Sequence, residues 1–136
     1  MTTYEDYITD LILSDEFRYF ITSTYFGHIF VWKLTIHRKL IHSYGGHTKT
    51  VTSLSNHPTQ PTLFISASND NTIRIWCLDV RFFNLILLKK FSELYCFELQ
   101  AGINNIKMMS ERIFACFYND AIKIGELHHL ALSFTN

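Results

Sequence analysis

The sequence predicts an all-β chain built from three consecutive repeats, and three observations carry that reading. First, FITSTYFGHIFVWKL from Phe20, FISASNDNTIRIWCL from Phe64 and IFACFYNDAIKIGEL from Ile113 superpose when aligned on the tryptophans. Each runs through apolar and β-branched residues, a short polar or glycine-containing turn, and apolar residues again, which is the pattern of two paired strands. Second, HIFVW is apolar on both faces, because Ile29 and Val31 point one way while Phe30 and Trp32 point the other. Such a strand must be covered on both faces, as happens in small sheets stacked radially; a two-layer sandwich more often leaves one face polar. Third, no segment sustains a helical period.

The stretch GHTKTVTSLSNHPTQPTLFISASNDNTIRIW sets Gly46-His47 and Trp76 29 residues apart (76 − 47). It resembles the Trp-Asp (WD) repeat, the blade of a β-propeller. The repeat steps, 44 residues from Trp32 to Trp76 and 49 from Trp76 to Gly125, lie near the roughly 40 to 45 of such a blade, so the second step holds a short insertion. The resemblance implies three consecutive four-stranded antiparallel WD-type blades forming a partial, open β-propeller over residues 1–136, with blades at about 4–45, 46–95 and 96–136.

In that strand order the first blade takes 8–13, 19–23, 29–34 and 40–44. The second takes 51–55, 63–67 and 73–78, and its fourth strand has two candidates of strand composition, NLILLKKF and LYCFEL, both between Asp79 and Gln100. The third takes 103–109, 113–117, 122–127 and about 130–134.

In WD repeats a His before the first strand, a Ser or Thr on the second, an Asp in the next turn and a Trp on the third form one hydrogen-bonded network. The matching residues are His47, Ser66, Asp70 and Trp76. The chemistry suits them, since a buried indole N–H and an imidazole both require partners and a turn carboxylate can accept from the ring and from amides. A catalytic reading of His, Ser and Asp would need an exposed, glycine-flanked elbow and an oxyanion hole, and FISASND has no such turn. The repeats also depart from the family pattern. Cys77 follows Trp76 where Asp is expected; blade one keeps the anchors Trp32 and Thr22 but has Phe26 at the turn-Asp position and no preceding Gly-His. In blade three Gly125 replaces the Trp, while Asn119 and Asp120 keep a polar turn.

Composition excludes several roles. Twelve Lys plus Arg against twelve Asp plus Glu gives no net field for nucleic acid or acidic lipid. MTTYEDYITD lacks the basic and apolar regions of a signal peptide. LILL at 85–88 falls far below the roughly 18 apolar residues of a membrane span. Cys77, Cys96 and Cys116, spaced by 19 and 20, fit neither a metal-ligand pair nor a full disulfide set and read as reduced strand cysteines of a cytoplasmic protein. The adjacent His128 and His129 point oppositely in a strand, so no metal site is expected, and His37 and His42 read as solvated around a hairpin. Gly-rich phosphate loops are absent, and no cofactor is expected.

Propellers have about four to eight blades, so three cannot comfortably close. The expectation is a fragment or short isoform of a larger protein, completed by further blades, by a partner, or by self-association through its open end blades. The resemblance implies a non-enzymatic protein-interaction scaffold that docks partners on the loop face carrying Tyr25, Phe26, Lys49, Asn69, Tyr118 and Asn119. The alternatives are a truncated structural remnant and an enzyme with its active site in the propeller funnel.

Only blade two keeps the whole network, so stability should concentrate there. Replacing a buried Trp by Ala costs roughly 3 to 5 kcal/mol, against a total of about 5 to 15. Trp76→Ala should therefore largely unfold the chain; a melting curve within a few degrees of the parent's would refute this.

Overall fold

The computed structural model describes residues 5–14, 18–37, 39–78, 92–99, 101–118, 121–128 and 131–135. They form twelve strands: β1 (Ile8–Ser14), β2 (Tyr19–Thr24), β3 (Ile29–Lys33), β4 (Lys39–Tyr44), β5 (Val51–Asn56), β6 (Leu63–Ser68), β7 (Thr72–Cys77), β8 (Ser92–Glu98), β9 (Asn105–Met108), β10 (Ile113–Tyr118), β11 (Ala121–His128) and β12 (Ala131–Thr135). These pair in chain order into three four-stranded antiparallel sheets, β1 to β4, β5 to β8 and β9 to β12. No helix is present among the described residues, hence none long and apolar enough to cross a membrane. The architecture is an open, partial β-propeller of three blades.

Alternation along the strands decides how the sheets stack. In sheet one, Ile21, Ile29, Val31 and Tyr44 face sheet two and bury against its Val51, Leu54, Phe64 and Trp76. Sheet two turns its other face, Ile65, Ala67, Ile73 and Ile75, onto Ile106, Phe114 and Cys116 of sheet three. The middle sheet is therefore apolar on both faces and covered on both. Fully burying one such side chain contributes about 1.5 to 3 kcal/mol, so the two interfaces are the main source of stability.

Each sheet's first strand lies against its neighbour's, and polar side chains bridge the backbones there. Thr9 of β1 donates to the Val51 carbonyl, the Leu54 N–H donates to Asp10 at 2.8 Å, and Asn56 donates to the Leu13 carbonyl at 2.6 Å. Between β5 and β9, Thr52 donates to the Ile103 carbonyl and Ser53 to Asn105 Oδ1 at 2.7 Å. Neighbouring inner strands are not laddered to each other, so these side chains satisfy groups that would otherwise meet apolar surface.

Three details differ from the sequence reading, and one ambiguity resolves. The second sheet's fourth strand is β8, drawn from the LYCFEL candidate, so that sheet runs to Glu98, past the expected blade limit of about 95. Its ion pair explains part of the choice: Glu93 lies 2.7 Å from Arg74 on the adjacent β7. NLILLKKF lies outside the described residues. The third hairpin is shorter by one residue: Gly125 pairs with Phe114, eleven residues away (125 − 114), whereas Trp76 pairs with Phe64 at twelve (76 − 64). Phe114, not Ile113, thus takes the place equivalent to Phe64. A Cβ on Gly125 would lie 2.2 Å from Phe114 Cζ, so the ring fills the volume that the Trp of sheet two occupies. His42 also differs in part: it is half-buried, its ring centroid 4.5 Å from that of Tyr44, where full solvation was expected.

Gly125→Ala should destabilise by about 1 to 3 kcal/mol, the usual cost of overpacking a filled core. Phe114→Leu in the same chain should recover part of that loss, because the two sites share one volume. Denaturant midpoints of the two single variants and the double variant check this; additive losses would contradict it.

Candidate functional site

The loops at one end of the sheets converge around the turn between β6 and β7. There Asp70 N–H donates to Ser68 Oγ at 3.1 Å, Asp70 Oδ1 accepts the Thr72 N–H at 2.9 Å, and Asn71 takes a left-handed φ of 70°. Asn and Asp tolerate and cap such turns. The turn aims the second carboxylate oxygen at the segment before β5, where Oδ2 meets His47 Nδ1 at 2.9 Å and the Thr48 N–H at 3.1 Å. On the far side of the imidazole, Nε2 lies 2.6 Å from Ser66 Oγ, and Trp76 Nε1 donates to that same oxygen at 2.7 Å.

One assignment of protons satisfies every atom of this chain. Trp76 N–H donates to Ser66, the Ser66 O–H donates to Nε2, and Nδ1–H donates to Asp70, which requires a neutral imidazole. Burial lowers the pKa of His47 below its ordinary 6.5, despite the opposing Asp70 carboxylate. Burial pushes the Asp70 carboxyl upward, but hydrogen bonds from Thr72 and His47 outweigh it and leave the group below 3.8. The order Ser, His, Asp matches a nucleophilic triad in spacing, yet Ser66 is 0% exposed and its oxygen already accepts the indole proton. No substrate carbonyl can reach it, so the chain of bonds is a structural latch.

In sheet one the anchors Trp32 and Thr22 form the shorter version, the indole donating to Thr22 Oγ1 at 3.0 Å. The sequence reading missed that this sheet has a latch of opposite order. Asp6, before β1, accepts the Phe26 N–H at 2.9 Å and meets His28 Nδ1 at 2.8 Å. Slight burial raises the Asp6 carboxyl, but bonds from His28, Thr24 and Phe26 prevail and lower it. The carboxylate sits before the first strand and the His in the turn, the reverse of His47 and Asp70. A search for Gly-His passes over it.

The same end displays the residues expected to meet a partner. Tyr25 and Phe26 are 55% and 46% exposed and contact each other edge to face, with centroids 5.6 Å apart. Gly27 holds their turn against sheet two: it has φ of 92°, and a Cβ there would lie 2.8 Å from the His47 and Lys49 carbonyl oxygens. Lys49 and Asn69 are exposed beside it, the Asn69 N–H donating to the Thr50 carbonyl at 3.0 Å. Tyr118 ends β10, and Asn119 lies outside the described residues. Among the described residues no group of three His, Cys, Asp or Glu could hold a metal ion.

Comparison with known proteins fits this geometry. The profile of the WD domain, G-beta repeat family matches residues 38–77, which hold β4 and the first three strands of sheet two. The chain is 33% identical over 75 residues to ribosome biogenesis protein YTM1 of Candida glabrata, covering 53% of this chain and 15% of that protein. It is 42% identical over 48 residues to the WD repeat-containing protein 26 homolog of Drosophila melanogaster, covering 35% of this chain and 8% of that protein. The fold superposes on the β-propeller domain of Cps50 (Swd1) from Myceliophteria thermophila with a TM-score of 0.76 at 14% identity, over 94% of this chain and 38% of that one. It superposes on the RRP9 WD40 repeats with a TM-score of 0.75 at 13% identity, over 97% and 39%. The chain thus spans well under half the length of each of these proteins.

The neutral imidazole makes the fold sensitive to acid. Because the folded His47 pKa lies below 6.5, the unfolded chain binds a proton that the folded chain does not once pH falls through that value. Stability is therefore full above it and falls as pH drops, and the Asp70 contribution follows only at lower pH, through a folded pKa below 3.8. His42, also lowered by burial, acts in the same direction. Denaturant midpoints should decrease from about pH 7.5 to about pH 5.5, and His47→Gln should flatten part of that slope. A parent profile flat across the interval would refute the assignment.

Proposed function

We propose that this chain, a member of the WD-repeat β-propeller family, is a non-enzymatic protein-interaction scaffold that contributes blades to a larger assembly. The observation that carries the reading is the exposed Tyr25-Phe26 pair on a turn that Gly27 fixes against sheet two. Aromatic side chains that are already ordered lose little freedom on docking and make effective anchors at protein interfaces. Lys49 and Asn69 supply a polar rim beside them.

Further features support parts of this role. Equal numbers of acidic and basic residues favour a protein partner over nucleic acid. Free Cys77, Cys96 and Cys116 favour a reducing, cytoplasmic setting. The sealing of Ser66 weighs against an enzyme that uses the Ser66, His47 and Asp70 set. The end sheets are completed by further blades, consistent with the 38% to 39% of each solved propeller that the chain spans.

Replacing both Tyr25 and Phe26 by Ser should leave the melting temperature within a few degrees of the parent's, because both side chains are exposed. Proteins captured from cells by the parent chain should be recovered roughly 10-fold less by this variant, as expected of hot-spot residues. Equal recovery by the folded variant would overturn the reading.

A further inference from the structure

The turn that carries Tyr25 and Phe26 rests on a segment that a single buried side chain plugs into sheet two. Of residues 45–49 only His47 is buried; Gly45, Gly46, Thr48 and Lys49 are exposed. A Cβ on Gly45 would meet nothing within 4 Å, and Gly46 has a φ of 150°, which favours glycine, so the segment is entered through a backbone hinge. At its other end Ser68 Oγ donates to the Lys49 and Thr50 carbonyls at 3.2 and 2.8 Å. Between hinge and anchor, the His47 ring is held by Asp70 and Ser66, and the Thr48 N–H by Asp70. Gly27 seats on the His47 and Lys49 carbonyls. One half of the seat under the docking turn therefore lies on the movable stretch.

The pocket has no place for a second proton on the ring. In the neutral latch the Ser66 O–H donates to Nε2. Once Nε2 carries a proton, two donors face each other across 2.6 Å, and the Ser66 hydrogen has to turn away in a fully buried site where Trp76 already donates to the same oxygen. The charges around the ring are divided. Asp70 on the β6–β7 turn and Glu93 on β8 favour an imidazolium, while Arg74 on β7, 2.7 Å from Glu93, opposes it. From sheet one Tyr44 packs on Trp76 with its phenol neutral. Burial outweighs the two carboxylates and favours the neutral ring. An imidazolium lifted into water escapes that penalty, and the backbone that has to move with it is already exposed.

We propose that proton uptake by His47 lifts residues 46–48 off sheet two and removes half the seat of the Tyr25-Phe26 turn, so that acid unseats the docking pair while the three sheets stay folded. The inference rests on the reading of that pair as the partner-binding site and supplies its regulation. None of the side chains in the two apolar clusters has to move.

The test is nuclear magnetic resonance of the full chain between about pH 7.5 and about pH 5.5. Opening at the Thr48 N–H, read by hydrogen exchange corrected for the intrinsic rate, should become up to about 10-fold more frequent per pH unit below about pH 6.5, the slope of one proton bound on opening. The backbone order parameter of Gly27 should fall from about 0.85 toward about 0.6 over the same range, while amides of β6 and β7 keep their protection. His47→Gln, which takes up no proton, should abolish both responses. An unchanged Thr48 or Gly27 overturns the proposal, and so does loss of protection in β6 and β7 in step with Thr48. A response that survives His47→Gln also overturns it, since it would belong to His28, which bonds Asp6 beside the same turn. Should His47→Gln fail to fold, His28→Gln takes its place: the response must then persist, and its loss overturns the proposal. Capture by the Tyr25 and Phe26 double variant at neutral pH is independent of every one of these outcomes, so the scaffold reading stands or falls separately.

Discussion

A sheet with apolar side chains on both faces cannot stand alone in water, and the rest of this structure depends on how that constraint is met. Sheet two meets it fully, with Trp76 only 1% exposed on one side and Ile73 at 0% on the other. Sheets one and three each meet it on one side. Stability is therefore graded along the stack, because burial is what offsets the ordering of each strand. Local opening should begin at the outer sheets, which have the fewest buried neighbours.

The sequence repeat and the sheet are out of phase by one strand, and this offset ties the stack together. The family profile covers 38–77, so one repeat contributes β4 to sheet one and three strands to sheet two. Tyr44 at the end of β4 shows the consequence. Its ring lies 4.7 Å from that of Trp76 in the next sheet, and its buried O–H donates to the Cys77 carbonyl at 2.6 Å. Burial raises its pKa well above 10.0, so the phenol stays neutral and remains a donor at any physiological pH. Separating the first two sheets would break this bond and expose the aromatic cluster together, which links the two sheets in one cooperative unit.

The strands were legible because short apolar and β-branched runs bounded by polar or glycine-containing turns are local and strong signals, as in Ile29 to Trp32 and Leu63 to Ala67. The latch in sheet two was legible as well, since a buried indole, a hydroxyl, an imidazole and a carboxylate can be matched by type and order alone. Three features were not. The choice between NLILLKKF and LYCFEL depends on contacts made across strands, of which Glu93 with Arg74 is one, and which no single-strand composition encodes. The register of the third hairpin depends on Phe114 and Gly125 sharing one volume, so counting from the tryptophans puts Ile113 rather than Phe114 at the place of Phe64, although the strand itself is where it was expected. The Asp6 and His28 pair reverses the familiar order of its residue types, and its separation in sequence hides a 2.8 Å contact.

That reversed latch explains how a degenerate blade can still present a defined surface. In sheet two the carboxylate sits in the turn and the imidazole before the strand; in sheet one the roles are exchanged, leaving Phe26 free of the turn-capping duty that Asp70 performs. Its backbone N–H is held by Asp6, and Gly27 fits under the His47 and Lys49 carbonyls. The side chain can then point outward without loosening the turn. With Phe26 where sheet two has Asp70, the turn presents an exposed aromatic side chain while the neighbouring sheet supplies the rigidity. A turn that packs against the most fully buried sheet inherits that sheet's order.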